Sequence, residues 1–215
     1  MARVLLVPGL GVRTYLRQAV ASVAERGHDV TLLRPPAWSG VATDLEAYGL
    51  ALADRLDRED SPVDLLVGSS VGTQAAAVTA ANSDRVARLL LVSPTIDPRR
   101  RTWARATWAL MRGNPRADDP PTLRQGVDWV SAGVPRLVAT LASSLRTRQL
   151  EELMPAVRAD VTVVHTEYDY LGSEPWAAHV AERGGGTLLT APRASHSWPY
   201  GDTAGFTDLV DHLIV

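Results

Sequence analysis

The chain has 215 residues and a net charge of −2, which suits one domain and excludes a general polyanion binder, so nucleic acid is not expected as a partner. Apolar residues make up 46% and charged residues 21%, which excludes a disordered chain. Cysteine is absent, which excludes a disulfide framework, a thiolate nucleophile and a cysteine-type zinc site.

In chain order, the first apolar run, Val4 to Leu10, carries Pro8-Gly9 and no cleavage site. It predicts a buried first strand rather than a signal peptide, and with it a cytoplasmic protein with no targeting segment. No stretch reaches the ~18 consecutive apolar residues of a membrane span. Strands are expected at 3–7, 29–33, 63–67, 87–92, 161–165 and 186–190. Each is apolar nearly throughout, the mark of a strand covered on both faces. Helices are expected at 14–26, 43–60, 71–82, 173–183 and 202–213. Strands alternating with helices demand parallel pairing through right-handed crossovers. The predicted fold class is α/β, a doubly wound, mostly parallel six-stranded sheet.

The alternation breaks between Val92 and Val161. That interval holds Trp103, Trp108, Met111 and Trp129, with arginines at 99, 100, 101, 105, 112 and 116, and is punctuated by prolines at 94, 98, 115, 120, 121 and 135. Such a length is too great for a bare loop, so residues 97–156 are expected to form an inserted helical cap within the single domain.

One turn carries chemistry. The strand Asp64-Leu65-Leu66-Val67 runs into Gly68-Ser69-Ser70-Val71-Gly72 and then into the small-residue stretch Thr73-Gln74-Ala75-Ala76-Ala77. A serine between strand and helix sits on a sharp, strained backbone, and glycines two residues to either side remove side chains that would collide. The following helix N-terminus adds partial positive charge, so the Val71 N–H is placed to stabilise an oxyanion. The bland alternatives are a solvated serine or a phosphate-binding loop, and the latter calls for a lysine that this chain lacks.

With this elbow the sequence resembles the α/β-hydrolase superfamily at four places in matching order. Val7-Pro8-Gly9-Leu10-Gly11 resembles its His-Gly oxyanion loop, with Pro8 where histidine is usual. The Ser70 elbow follows. Val161-Thr162-Val163-Val164-His165-Thr166-Glu167-Tyr168-Asp169 resembles the strand and loop that carry the acid, with Thr166 in place of glycine, and Ala194-Ser195-His196-Ser197 lies where the family's histidine is found. The resemblance covers the chain apart from the cap and begins at the family's third strand. It implies strand order 2-1-3-4-5-6, with the serine turn and the first loop meeting at the topological switch point.

A serine hydroxyl needs a base and the base needs a carboxylate. Of the five histidines, His28 lies at the far edge, His179 and His212 fall within helices, and His165 belongs to the acid-loop pattern. His196 is the expected base and Asp169 the expected acid. Glu167 and Asp97 remain alternatives for the acid. Pro8-Gly9 is expected at the centre of a type II turn, glycine taking the positive φ and aiming the Leu10 N–H at Ser70.

These parts imply acyl transfer from an ester or thioester through an acyl-enzyme on Ser70, with Leu10 and Val71 as oxyanion donors and no metal or cofactor required. Two other classes share the scaffold: a non-hydrolytic cyclase or lyase, and a non-catalytic ligand-binding protein, which a broken triad would mark. Trp103, Trp108 and Met111 are expected either to pack a helix face or to roof an apolar substrate pocket. The arginines from Arg99 to Arg116 are expected to form a local basic patch, solvated or steering a carrier-linked or coenzyme A-linked acyl group, with Arg99, Arg100 and Arg101 as the residues that test it.

Overall fold

A computed structural model describes residues 1–38, 40–112, 123–146 and 148–214. Its elements in order are β1 (Arg3–Val7), α1 (Arg17–Glu25), β2 (Asp29–Leu32), α2 (Leu45–Asp57), β3 (Leu65–Ser69), α3 (Gly72–Asn82) and β4 (Arg88–Val92). There follow α4 (Trp103–Arg112), α5 (Leu123–Ala132), α6 (Val134–Arg146), α7 (Leu150–Leu153), β5 (Asp160–Thr166), α8 (Glu174–Arg183), β6 (Thr187–Ala191), α9 (Trp198–Gly201) and α10 (Thr203–Ile214). Among the described residues no helix is long and apolar enough to cross a membrane.

The six strands form one sheet in the order β2-β1-β3-β4-β5-β6, every pair parallel. Successive side chains of a strand point to opposite faces, and the sheet divides its core accordingly. Leu5, Val7, Leu66, Leu89, Leu91 and Val163 pack with α2, α3 and α8 on one side. Val4, Leu6, Leu65, Val67, Leu90, Val92 and Val164 pack with α1 and α10 on the other. The outer strands depart from the expectation of two covered faces. β2 exposes Asp29 and Thr31, and β6 exposes Thr187, Leu189 and Thr190, because each has only one neighbouring strand to support flanking helices.

Local signals explain several boundaries. Asp44 accepts a hydrogen bond from the Ala47 N–H at 2.8 Å and starts α2, and Ser173 caps α8. The stretch expected as one helix over 14–26 begins instead with a separate 3₁₀ turn, Thr14–Leu16, before α1. Its backbone is drawn aside by Asp128, which accepts from the Arg13 and Thr14 N–H groups at 2.8 and 2.7 Å.

Register places the site. Val7 pairs with Gly68, Ser69 with Val92, Val92 with Val164 and Thr166 with Ala191, so the carboxyl ends of β1, β3, β4, β5 and β6 finish side by side. The loops that follow them therefore converge on one edge.

Candidate active site

Ser70 follows β3 with φ +56°, a left-handed conformation that a non-glycine residue adopts at a cost. Packing on both sides imposes it. A Cβ on Gly68 would lie 2.8 Å from Ala76 Cβ and from Gly72 O, and one on Gly72 would lie 2.4 Å from Val7 O. Both glycines are thus required for α3 to lie against β1 and β3. The Ser70 N–H donates to Val92 O at 3.0 Å, and the Thr73 N–H donates to Ser70 O at 2.9 Å. The Thr73 hydroxyl donates to the same carbonyl. The nucleophile candidate is held at its backbone from both flanks.

His196, in the loop between β6 and α9, lies with Nε2 at 2.7 Å from Ser70 Oγ and Nδ1 at 2.9 Å from Asp169 Oδ2. The Asp169 side chain is 1% exposed and its other oxygen accepts from the Leu171 N–H at 2.7 Å. An ionised carboxylate only accepts, so Nδ1 carries the proton and Nε2 is left to accept from the Ser70 hydroxyl. Gly172 allows the turn to close on this carboxylate: a Cβ there would lie 2.9 Å from Pro94 O and 3.4 Å from Asp169 Oδ2.

The first loop differs from expectation. Gly9 does not take the positive φ; Gly11 does, at +63°, and the turn closes two residues later through Val12 N–H to Gly9 O at 3.4 Å. Gly9 serves a different need, since a Cβ there would lie 2.9 Å from Ser70 Cβ. The loop passes too close to the serine for any side chain. Trp129 Nε1 donates to Leu10 O and Trp38 Nε1 to Gly11 O, each at 2.9 Å, which fixes the peptide planes of the turn. Among the described residues neither the Leu10 nor the Val71 N–H donates a hydrogen bond, although both residues are buried. Buried donors are nearly always paired, so an unpaired N–H in each of these two turns stands out.

The two alternative acids are engaged elsewhere. Glu167 is exposed and accepts from the Arg193 N–H at 2.7 Å. Asp97 is buried, accepting from the Arg99 N–H at 2.8 Å and from the Ser173 hydroxyl. Trp103 and Trp108 on α4 are 46% and 57% exposed, so neither is part of a closed apolar roof. Met111 is on the same helix, and its side chain lies outside the described residues. Arg116 and the Arg112 side chain lie outside the described residues; among the described ones the arginine patch is thinner than the sequence suggests. Arg101 forms a two-pronged pair with Glu151 at 2.6 and 2.8 Å, bonds Ile96 O and lies over Trp176, while Arg99 stays exposed.

Sequence reasoning leaves Thr73, Leu171, Trp129 and Asp128 without a role at the site. Leu171 acts through its backbone N–H and Thr73 partly through its own, while Asp128 and Trp129 act through side chains on the backbone of the first loop and its continuation. Only Trp129 carries a signal, an indole that must find an acceptor when it is packed inward.

A family model described as the alpha/beta hydrolase family matches residues 4–209. No curated protein matches the sequence. Among solved structures the chain is similar to an esterase from Exiguobacterium antarcticum, with TM-score 0.78 and 15% identity over 100% of this chain and 92% of that one. It is similar to a hydrolase from Oleispira antarctica, with TM-score 0.77 and 17% identity over 100% and 91%. It is also similar to the enol-lactonase from Burkholderia xenovorans, with TM-score 0.74 and 17% identity over 100% and 92%. At these identities the likeness is one of fold.

Proposed function

The chain belongs to the alpha/beta hydrolase family, and from that premise we propose that it is a serine hydrolase cleaving an ester or thioester through an acyl-enzyme on Ser70. The observation that carries the reading is the unbroken relay from Ser70 Oγ to His196 Nε2 at 2.7 Å and from His196 Nδ1 to Asp169 Oδ2 at 2.9 Å.

Ser70 Oγ attacks the substrate carbonyl as its proton passes to His196 Nε2, and Asp169 stabilises the resulting imidazolium. The carbonyl oxygen becomes an oxyanion held by the Leu10 and Val71 N–H groups. Collapse breaks the bond to the leaving oxygen or sulfur, which takes the proton from Nε2. A water then adds to the acyl-serine, giving its proton to His196, and the acid departs as Ser70 recovers its hydroxyl. The chain's own side chains account for every proton in this cycle. Within the expected cap 97–156, of which 113–122 and 147 lie outside the described residues, Trp129 anchors the segment to the first loop at Leu10 and Asp128 anchors it to the backbone just after that loop, so that the segment serves as a cap.

The test is covalent labelling. A fluorophosphonate should add one phosphonyl group by intact mass, the Ser70→Ala protein should take up none, and the wild type should release p-nitrophenol from p-nitrophenyl butanoate. An unlabelled and inactive wild type sinks the reading.

A further inference from the structure

The carbonyl of Ser70 takes two hydrogen bonds from a single residue. Thr73, fully buried in the first turn of α3, donates to Ser70 O from its backbone N–H at 2.9 Å and from its hydroxyl at 2.5 Å. A carbonyl oxygen has two lone pairs, and both are used. The hydroxyl oxygen of Thr73 in turn accepts from the Thr95 N–H, in the loop after β4, at 3.4 Å.

A threonine hydroxyl bonded to a carbonyl one turn back is ordinary by itself. Thr79 does the same further along α3, donating to Ala75 O at 2.9 Å and to Gly49 O at 3.1 Å. What sets Thr73 apart is the peptide it grips. A trans peptide is planar, with its C=O and N–H pointing to opposite sides, and the other edge of the Ser70–Val71 peptide is the Val71 N–H. The peptide that Thr79 grips carries the N–H of Ala76, inside α3. Val71 precedes the helix, is buried, and among the described residues its N–H has no acceptor.

We propose that Thr73 is a positioning residue for the oxyanion site: by holding Ser70 O toward α3, its hydroxyl sets the direction of the Val71 N–H and strengthens it as a donor. This rests on the reading of Ser70 as nucleophile. Turning the Ser70–Val71 peptide out of place breaks two bonds rather than one, so the donor is aimed before substrate arrives and needs no reorganisation during the reaction. Hydrogen bonds accepted by an amide oxygen also polarise the amide, and its N–H donates more strongly. The Leu10 N–H is held less firmly, since the carbonyl of its peptide, Gly9 O, accepts from the Val12 N–H at a long 3.4 Å.

The test compares wild type with Thr73→Val, Thr73→Ser and Thr79→Val on p-nitrophenyl butanoate. Thr73→Val keeps the shape and loses the hydroxyl. It should lower kcat about tenfold, less than the loss of a whole donor, with KM nearly unchanged, because the oxyanion exists only in the transition state. Thr73→Ser should restore kcat to near the wild-type value. Thr79→Val should lower the melting temperature and leave kcat as it was. Thr73→Ala carries the same expectation where the valine variant does not fold. Nuclear magnetic resonance reads the peptide directly: carbonyl-labelled serine with nitrogen-labelled valine gives coupled signals only for Ser22–Val23 and Ser70–Val71, the two serine–valine pairs of the chain. In Thr73→Val the Ser70–Val71 signal should move and the Ser22–Val23 signal should not. An unmoved Ser70–Val71 signal, or full kcat in Thr73→Val beside an active wild type, overturns the role of Thr73 and leaves the nucleophile reading intact. An equal kcat loss in Thr73→Ser or Thr79→Val also overturns it, assigning the effect to helix packing. A wild type that neither reacts with a fluorophosphonate nor cleaves the ester removes the nucleophile reading and this role together.

Discussion

The carboxyl edge of the sheet and helices α4 to α6, between β4 and β5, differ in how they treat large apolar residues. β1, β3 and β4 bury Leu5, Leu65, Leu66, Leu89, Leu90 and Leu91 almost completely. In the segment, Trp103, Trp108, Val127, Val130, Val134 and Val138 all lie at the surface. Its attachment is conspicuously polar: Asp128 to the Arg13–Thr14 backbone, Trp129 to Leu10 O, Arg136 to the carbonyls of Ala37, Trp38 and Val41, and Ser143 to Leu45 N–H and Asp44. The elbow is therefore fixed by close packing of backbone on backbone, where a single Cβ does not fit. Helices α4 to α6 are held mainly by directional bonds at a few points, while the end of the segment is packed into the core through Leu150, Leu153 and Met154. Damage to the first should appear in the chemistry, and damage to the second in stability and substrate affinity.

The largest expected effect lies at the elbow. Ser70→Ala should lower kcat/KM for an activated ester by about 10⁶-fold, since members of such a relay act as a unit, with the circular dichroism and melting temperature retained. Next comes a contrast between two buried carboxylates. Asp169→Asn should lower kcat by about 10⁴-fold through a misdirected imidazole tautomer. Asp97→Asn should leave kcat within a few-fold and lower stability instead, because its oxygens serve Arg99 and Ser173 at the root of the segment. A large kcat loss in Asp97→Asn with normal rates in Asp169→Asn would reverse the assignment of the acid.

What the sequence reveals and what it hides follows the same division. The strand order, and the positions of Ser70, Asp169 and His196 after β3, β5 and β6, are legible because buried parallel strands are continuous apolar runs and the loops that follow them emerge at one edge. The first loop is misread by two residues: Pro8-Gly9 has the composition of a turn, but Gly9 answers a contact with Ser70, a residue some sixty positions away, which no local pattern contains. The arginines of the segment present as a charge patch because Glu151, which neutralises Arg101, is fifty residues distant. Trp103 and Trp108 suggest an apolar face on helical spacing alone, and spacing does not say whether anything covers it.

A third prediction strains the segment's attachment. Asp128 is buried and takes the Arg13 and Thr14 N–H groups and the Thr14 hydroxyl. Asp128→Ala leaves three donors without an acceptor and should cost about 2–3 kcal/mol, read as a fall in melting temperature. Because the same backbone continues the oxyanion loop, KM should rise more than kcat falls. Unchanged stability would mean that water replaces the carboxylate without penalty.

The smallest effect is at the neck of the segment, where Arg101 near its start clasps Glu151 near its end. Burial pushes the Glu151 carboxyl up, but the hydrogen bond and charge of Arg101 outweigh it and the net direction is down. A carboxylate with a lowered folded pKa stabilises the fold above its ordinary value of about 4.3, and that stabilisation is lost as pH falls through the lower folded value. The pair is partly solvent-exposed, so its worth at neutral pH is at most about 1 kcal/mol, or about 2–4 °C in melting temperature for a chain of this size. Glu151→Gln keeps the shape and a hydrogen-bonding oxygen while removing the charge. The gap in melting temperature between wild type and Glu151→Gln should be present at pH 7 and close below about pH 4. Glu59, whose carboxyl is also lowered by Arg3 and Arg55, titrates in the same window. It does so equally in both proteins and cancels in the difference. Ester turnover should be the same in both at pH 7, because the clasp holds the segment's root and touches none of the groups that move protons. A gap that persists into acid would assign the loss to packing of the Arg101 side chain on Trp176 rather than to charge.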